Sequence, residues 1–172
     1  FRQANIDQRG LYAWKGIYSL VAILGFVILV WGYGIARQDP VVFWVAPAWM
    51  SQVVALLMLP AMIFLVASQV PAGRIKAAVK HPMLLAVKIW ALAHLLVNGD
   101  LASVLLFGGI LVWAIVDRIS EKKRLRAGIT SNPVAGPVKW DIIAVIGGLV
   151  VYVLFVAGLH EWLIGVPPIM GM

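Results

Sequence analysis

Cysteine is absent from this chain of 172 residues, and charged residues are scarce at 12%. Without thiols the protein forms no disulfide bond, holds no iron–sulfur cluster and performs no thiol chemistry. The sequence also lacks a glycine-rich phosphate loop, an HExxH zinc motif and a recognisable serine triad. These absences exclude several common kinds of catalytic site and leave the apolar residues as the main source of information.

Hydrophobic residues make up 63% of the chain, whereas soluble domains contain about 45–50%. They fall into five runs, each approaching the roughly 20 residues that a helix needs to cross a bilayer. The sequence therefore predicts an all-α, polytopic membrane helix bundle that forms one domain over residues 1–172. The predicted transmembrane segments are Gly16–Ala36, Met50–Val70, Pro82–Val97, Leu101–Ile119 and Trp140–Gly165.

The net charge of +7 reports membrane topology rather than nucleic-acid binding. Twelve of the fourteen Lys and Arg residues precede the first segment or lie in the connections between segments two and three and segments four and five. Such connections face the cytoplasm under the positive-inside rule. We therefore expect a multi-pass protein of the bacterial inner membrane, with the residue 1 end cytoplasmic, the C-terminus periplasmic and the lipid bilayer as partner.

Three histidines could carry chemistry, and the topology gives each a depth. His81 begins the third segment at its cytoplasmic end. His94 follows thirteen residues later, which is roughly 20 Å along a helix. His160 lies twenty residues after Trp140 in a helix of the same direction, so we expect it to share the outer depth of His94.

Neutral imidazole is a ligand for zinc or iron, and a helix bundle can hold a haem between facing helices. Haem suits an apolar bundle without cysteine better than zinc does. Trp90 and Ala91 lie one turn before His94, and Ala91 would leave room for a flat ring. In the plainer alternatives, His94 only hydrogen-bonds a neighbouring helix, and His160 is an interfacial residue of an aromatic belt.

Lys88 is the one lysine inside a predicted segment, and it shares a helix face with His81 because they are seven residues apart. Its long side chain can reach toward the cytoplasmic interface. Asp117 and Asp141 lie near that interface in the fourth and fifth segments, so we expect a structural Lys88–carboxylate pair rather than a catalytic lysine.

The sequence Asn98-Gly99-Asp100 predicts a tight turn between segments three and four, with Asp100 as the cap of the following helix. Small-residue patches, among them Gly108-Gly109 and Gly147-Gly148, predict places where helices approach closely.

The third segment and its surroundings resemble the NnrU family of membrane proteins. The resemblance rests on His81-Pro82-Met83-Leu84, on the stretch from Leu92 to Asp100 and on the terminal run from Leu159 to Pro167, and it covers nearly the whole chain. Bacterial members are tied to denitrification, and a plant relative is 15-cis-zeta-carotene isomerase, a haem b protein. The family has an additional N-terminal helix that carries a histidine, and this chain starts at Phe1, after that helix.

The resemblance implies two functions. One is support of nitrite and nitric oxide respiration, with haem b on His94, as a sensor, an electron-transfer element or a maturation factor. The other is haem-dependent isomerisation of a lipophilic polyene such as a carotenoid, which is weakened because Ala91 stands where the isomerase has a cysteine. A third reading, from the size and the apolar surface of the chain, is an accessory subunit of a larger energy-converting membrane complex.

Overall fold

The structure, a computed structural model, describes residues 2–169, and these form two compact units that meet between residues 41 and 42. All the regular secondary structure of the described residues is helical, with no strand among them. The all-α class predicted from the apolar runs is therefore confirmed.

The first unit contains α1 (Arg2–Arg9) and α2 (Leu11–Ala36). Gly10 separates the two helices with a φ of 81°, a left-handed conformation that glycine adopts without steric cost. α2 begins five residues before the predicted start at Gly16 and ends at the predicted Ala36. Its 26 residues exceed the roughly 20 that a membrane-spanning helix requires.

The second unit contains six α-helices and one π-helical turn. They are α3 (Met50–Gln69), α4 (Arg74–Val79), α5 (Pro82–Val97), α6 (Leu101–Arg126), α7 (Lys139–Leu154), the π-helical turn Phe155–Leu159 and α8 (His160–Ile164). The predicted bounds of the third segment are those of α5, and α3 continues through Pro60. α6 extends beyond the predicted Ile119, because the charged stretch that follows keeps its helical conformation.

Four helical stretches of the described chain are long and apolar enough to cross a membrane: α2, α3, α6 and the run Lys139–Ile164. The protein thus has the character of a multi-pass membrane protein. α5 is apolar but has only 16 residues, so the predicted count of five spans is not confirmed by length alone.

Within the second unit, α3 packs against both α5 and α7, and α5 packs in turn against α6. Small side chains dominate the buried positions, as in Ala61, Ala91 and Ala114, which lets helix backbones approach closely. Gly148 shows such an approach between α7 and α3, because a Cβ there would lie 2.5 Å from the Cα of Ile63. Close packing at Gly147-Gly148 is therefore confirmed, whereas a Cβ at Gly108 or Gly109 would meet no atom of the described chain within 4 Å.

The turn between α5 and α6 follows the sequence prediction. Asp100 is the N-cap of α6, and its carboxylate accepts hydrogen bonds from the backbone N–H (2.9 Å) and the hydroxyl (2.6 Å) of Ser103. The Gly99 carbonyl accepts the backbone N–H of Phe43 at 2.8 Å. The segment before α3 is thereby held against this turn.

Candidate functional site

His94 lies in the last turn of α5, and its Nδ1 is 2.8 Å from the backbone carbonyl oxygen of Trp90. A carbonyl oxygen only accepts hydrogen bonds, so Nδ1 carries the proton and donates it. The other ring nitrogen, Nε2, then keeps its lone pair, as in histidines that bind metals.

His160, the first residue of α8, has the same arrangement. Its Nδ1 is 2.7 Å from the backbone carbonyl oxygen of Val166, so Nε2 again keeps its lone pair. Two glycines make this possible. Gly158 in the π-helical turn has a φ of 138° and redirects the chain, and Gly165, with a φ of 78°, ends α8 and turns Val166 back toward the histidine.

The structure brings these two histidines together. Their ring centres are 6.4 Å apart and their planes differ by 31°, which confirms the shared depth expected from their positions in the two helices. His160 is therefore a neighbour of His94, which is the strongest candidate from the sequence.

Two aromatic side chains surround the His94 ring. The ring centres of Trp90 and Phe107 lie 4.9 Å and 4.8 Å from that of His94, and 5.1 Å from each other. Phe107, on α6, is only 6% exposed. The aromatic pair thus shields one side of the imidazole from water and limits its rotation.

Asn98 fixes the end of the helix that carries His94. Its side-chain amide donates to the His94 backbone carbonyl at 2.8 Å, and its own backbone N–H donates to the same oxygen at 3.0 Å. This carbonyl would otherwise lack a partner at the helix C-terminus. Asn98 is a positioning residue of the site.

The family of this protein follows from a comparison with family models, in which the model described as NnrU protein matches residues 1–168. The chain belongs to the NnrU family. Comparison with curated proteins and comparison with solved structures gave no match.

One position of this NnrU protein differs from its sequence-based interpretation. Ala91 was expected to leave room for a flat ring beside His94, but its exposure is 0% because the helices of the bundle pack over it. Trp90, by contrast, is partly exposed and contacts the His94 ring. Ala91 therefore offers no open space beside His94 for a flat ring.

The predicted Lys88–carboxylate pair is wrong for the part of the chain that the structure describes, since no salt bridge there joins Lys88 to Asp117 or Asp141. Asp141 instead accepts the backbone N–H groups of Arg74 and Ile75, both at 2.9 Å. It caps α4 from a helix more than sixty residues away in sequence.

Asp117 and His81 both lie near the opposite end of α5 from His94. Asp117 is 3.8 Å from the Arg124 guanidinium. Partial burial, and secondarily the positive charge of Arg118, lower the pKa of His81 below its usual value. His81 is neutral at neutral pH and is remote from the histidine pair.

Sequence reasoning missed Phe107 and the Val166 carbonyl as parts of the site. Phe107 reaches His94 across a helix interface, and an apolar side chain carries no sequence signal for such a contact. The role of Val166 did have a signal, because Gly158 and Gly165 mark two changes of chain direction around His160.

Proposed function

We propose that this NnrU protein is a haem b protein of the bacterial cytoplasmic membrane that serves nitrite and nitric oxide respiration by electron transfer. The observation that carries the proposal is the His94–His160 pair, in which each Nδ1 donates to a backbone carbonyl and each Nε2 keeps its lone pair. The link to nitrogen-oxide respiration follows the association that the family resemblance implies.

The donor set fits haem better than a bare zinc ion. No group of three or more His, Cys, Asp or Glu side chains within residues 2–169 could hold a metal, whereas a structural zinc site needs four protein ligands and a catalytic one needs three. A haem iron receives four nitrogens from its porphyrin and requires only axial ligands from the protein. Two imidazoles are sufficient for that purpose.

The separation of the rings supports the same assignment. Two histidines that would hold one iron between them must lie within several ångströms of each other, because a bond from a metal to an imidazole nitrogen is about 2 Å long. The ring centres of His94 and His160 are 6.4 Å apart. The residues present therefore fit a haem held between them.

Ligation by two histidines favours electron transfer over gas binding. When bound, haem b would supply a one-electron carrier, and if both His94 and His160 held it, no site at the iron would remain for nitric oxide. Trp90 and Phe107 exclude water from the His94 side, and Asn98 fixes the end of α5. Carotenoid isomerisation by exchange of a thiolate ligand has no support here, because the chain contains no cysteine.

The proposal includes five membrane spans, which are the four helical stretches long enough to cross the membrane and, in addition, α5. α5 packs between α3 and α6, both long enough to cross the bilayer, so it crosses with them despite its length. The basic connections face the cytoplasm under the positive-inside rule. The histidine pair then lies near the periplasmic surface.

The test is an absorption spectrum of the protein purified in detergent after expression with haem supplied, oxidised and reduced. We expect the spectrum of a six-coordinate, low-spin haem b at one haem per chain. His94→Ala should abolish haem retention, and His160→Ala should yield a five-coordinate, high-spin spectrum or lose the haem. His81→Ala is the matched control, because it removes an imidazole from the other end of α5.

Haem binding at this pair would be refuted if the protein failed to retain haem. It would also be refuted if the low-spin spectrum persisted in both His94→Ala and His160→Ala. Either result would leave the role of an accessory subunit. Reporter fusions test the topology separately. A cytoplasmic signal from a C-terminal reporter would contradict the orientation proposed here.

A further inference from the structure

A shallow, largely open cleft of about 350 Å³ lies at the other end of α5. The cleft opens between the end of α3, the connection from α4 to α5, and the middle of α6. Its lining includes basic, acidic and apolar side chains, which are Lys76, Lys80, His81, Met83, Leu84, Trp113, Asp117 and Glu121, together with Ser68 and Pro82. This volume falls in the range of small-molecule sites.

A strained backbone shapes the basic side of the cleft. Lys80 is the one residue other than glycine with a positive φ (67°) in the described chain, and the His81 N–H donates to the Val79 carbonyl at 2.8 Å across it. Such a three-residue turn is rare and energetically unfavourable. Strain of this kind persists where the surrounding structure holds it and is concentrated at functional sites. Here it places Lys80 and His81 side by side at the cleft.

The two lysines of the cleft differ in the partners of their ammonium groups. The Lys76 ammonium donates to the backbone carbonyls of Ser68 (3.0 Å) and Val70 (2.8 Å) and so completes the C-terminal end of α3. Lys80 has no carboxylate within 4 Å in the part of the chain that the structure describes. Its ammonium is available to an anionic group.

The acidic side of the cleft comes from α6. Asp117 and Glu121 are one helical turn apart, and Arg124 contacts both, at 3.8 Å and 2.6 Å respectively. A carboxylate accepts about four hydrogen bonds, so one arginine leaves acceptor capacity on each. The lysines and the acids that line the cleft come from different elements, and Arg124 partly neutralises the acids.

A ligand that complements this arrangement carries both charges and an apolar portion. Met83, Leu84 and Trp113 line the apolar part of the cleft, and the exposed indole of Trp113 (56%) is typical of residues at a membrane–water interface. We propose that the cleft binds the headgroup of a zwitterionic phospholipid with a primary amine, such as phosphatidylethanolamine. The phosphate faces Lys80 and His81, and the ammonium faces Asp117 and Glu121.

This assignment depends on the membrane location in the proposed function but not on haem. A primary ammonium donates three hydrogen bonds, whereas the quaternary ammonium of phosphatidylcholine donates none, so the acidic side distinguishes the two headgroups. An anionic lipid without an amine would leave Asp117 and Glu121 facing like charge.

The experiment is native mass spectrometry of the full chain in detergent, titrated with phosphatidylethanolamine, phosphatidylcholine, phosphatidylglycerol and free glycerophosphoethanolamine. We expect phosphatidylethanolamine to bind about tenfold more tightly than the other two lipids. Asp117→Asn with Glu121→Gln should remove this preference, and Lys80→Gln should weaken all three lipids alike. Lys122→Gln and Glu161→Gln, exposed and outside the cleft, are the matched controls.

Equal binding of the three lipids, preference for phosphatidylglycerol, or an unchanged preference in the Asp117/Glu121 variant would overturn the proposal. If free glycerophosphoethanolamine bound as tightly as the lipid, the proposal would also be overturned. The ligand would then be a soluble phosphate ester with an amine rather than a lipid. The substitutions replace partly exposed groups with amides of similar size, and Lys80→Gln tests the basic side independently. Haem content is measured in parallel, so failure of this proposal and failure of haem binding are distinguishable.

Discussion

Asp141→Ala tests how the second unit holds its short helix α4. Both carboxylate oxygens of Asp141 accept backbone N–H groups, from Arg74 and Ile75, at 2.9 Å each. Loss of a capping side chain costs about 0.5–2 kcal/mol. Two charge-assisted bonds place Asp141 at the upper part of that range, about 1–2 kcal/mol after allowance for its partial exposure. Gly73 packs so tightly here that its added Cβ would collide with the Asp141 carboxylate.

The assay is thermal unfolding followed by circular dichroism in detergent micelles. A loss of 1–2 kcal/mol lowers the Tm by about 2–8 °C for a chain of this size. Asp39→Ala, which removes an exposed carboxylate elsewhere, is the control and should leave the Tm unchanged.

A double-mutant cycle with Lys88→Met separates capping from ion pairing. If Asp141 caps α4, the two substitutions act independently, and their effects on the free energy of unfolding add to within about 0.5 kcal/mol. A larger coupling energy, or an Asp141→Ala variant as stable as the unmodified protein, would refute the capping assignment and restore the Lys88–Asp141 pair.

Two glycine substitutions test the close approaches in the same unfolding assay. Gly148→Ala should lower the stability by about 1–3 kcal/mol, because its Cβ would lie 2.5 Å from the backbone of Ile63; unchanged stability would show that α3 and α7 are not packed this closely. Gly99→Ala should destabilise the protein by a similar amount, because its Cβ would collide with the backbone carbonyl of Trp44, and a neutral effect would disprove the docking of that segment. The control is Gly109→Ala, which meets no neighbour and should stabilise the helix by up to about 1 kcal/mol.

The features predicted correctly from sequence are those that local chemistry determines. Continuous apolar runs define where helices lie, and Pro82 at the first turn and Asn98 after the last give α5 its bounds. Asp100 caps α6 because its partner, Ser103, is only three residues away. Helical rise along two segments of the same direction was also enough to place His94 and His160 at one depth.

The features that sequence could not predict depend on contacts between distant elements. Charge suggested Lys88 as the partner of Asp141, but the unsatisfied N–H groups of α4 compete for the same carboxylate and obtain it. Ala91 has a side chain small enough to leave a space and equally small enough to let helices close over it. Only the positions of the neighbouring helices decide between these outcomes.

The length of α5 explains why both candidate sites lie at its ends. Sixteen residues span about 24 Å at 1.5 Å per residue, less than the roughly 30 Å of a hydrocarbon core. Each end of such a helix is recessed from the membrane surface and must be covered by other parts of the chain. The segment that contains Phe43 covers one end through the Gly99 carbonyl, and α4, anchored by Asp141, covers the other.

A helix end that lies below the membrane surface can be covered by other parts of the chain and still remain accessible to a ligand. In the topology proposed above, this arrangement would keep the His94–His160 pair beneath the membrane surface but close to it. At the other end it would leave the cleft at the level of the lipid headgroups. A helix extended by one turn at either end would fill these positions with its own backbone, so the shortness of α5 is a condition for both sites.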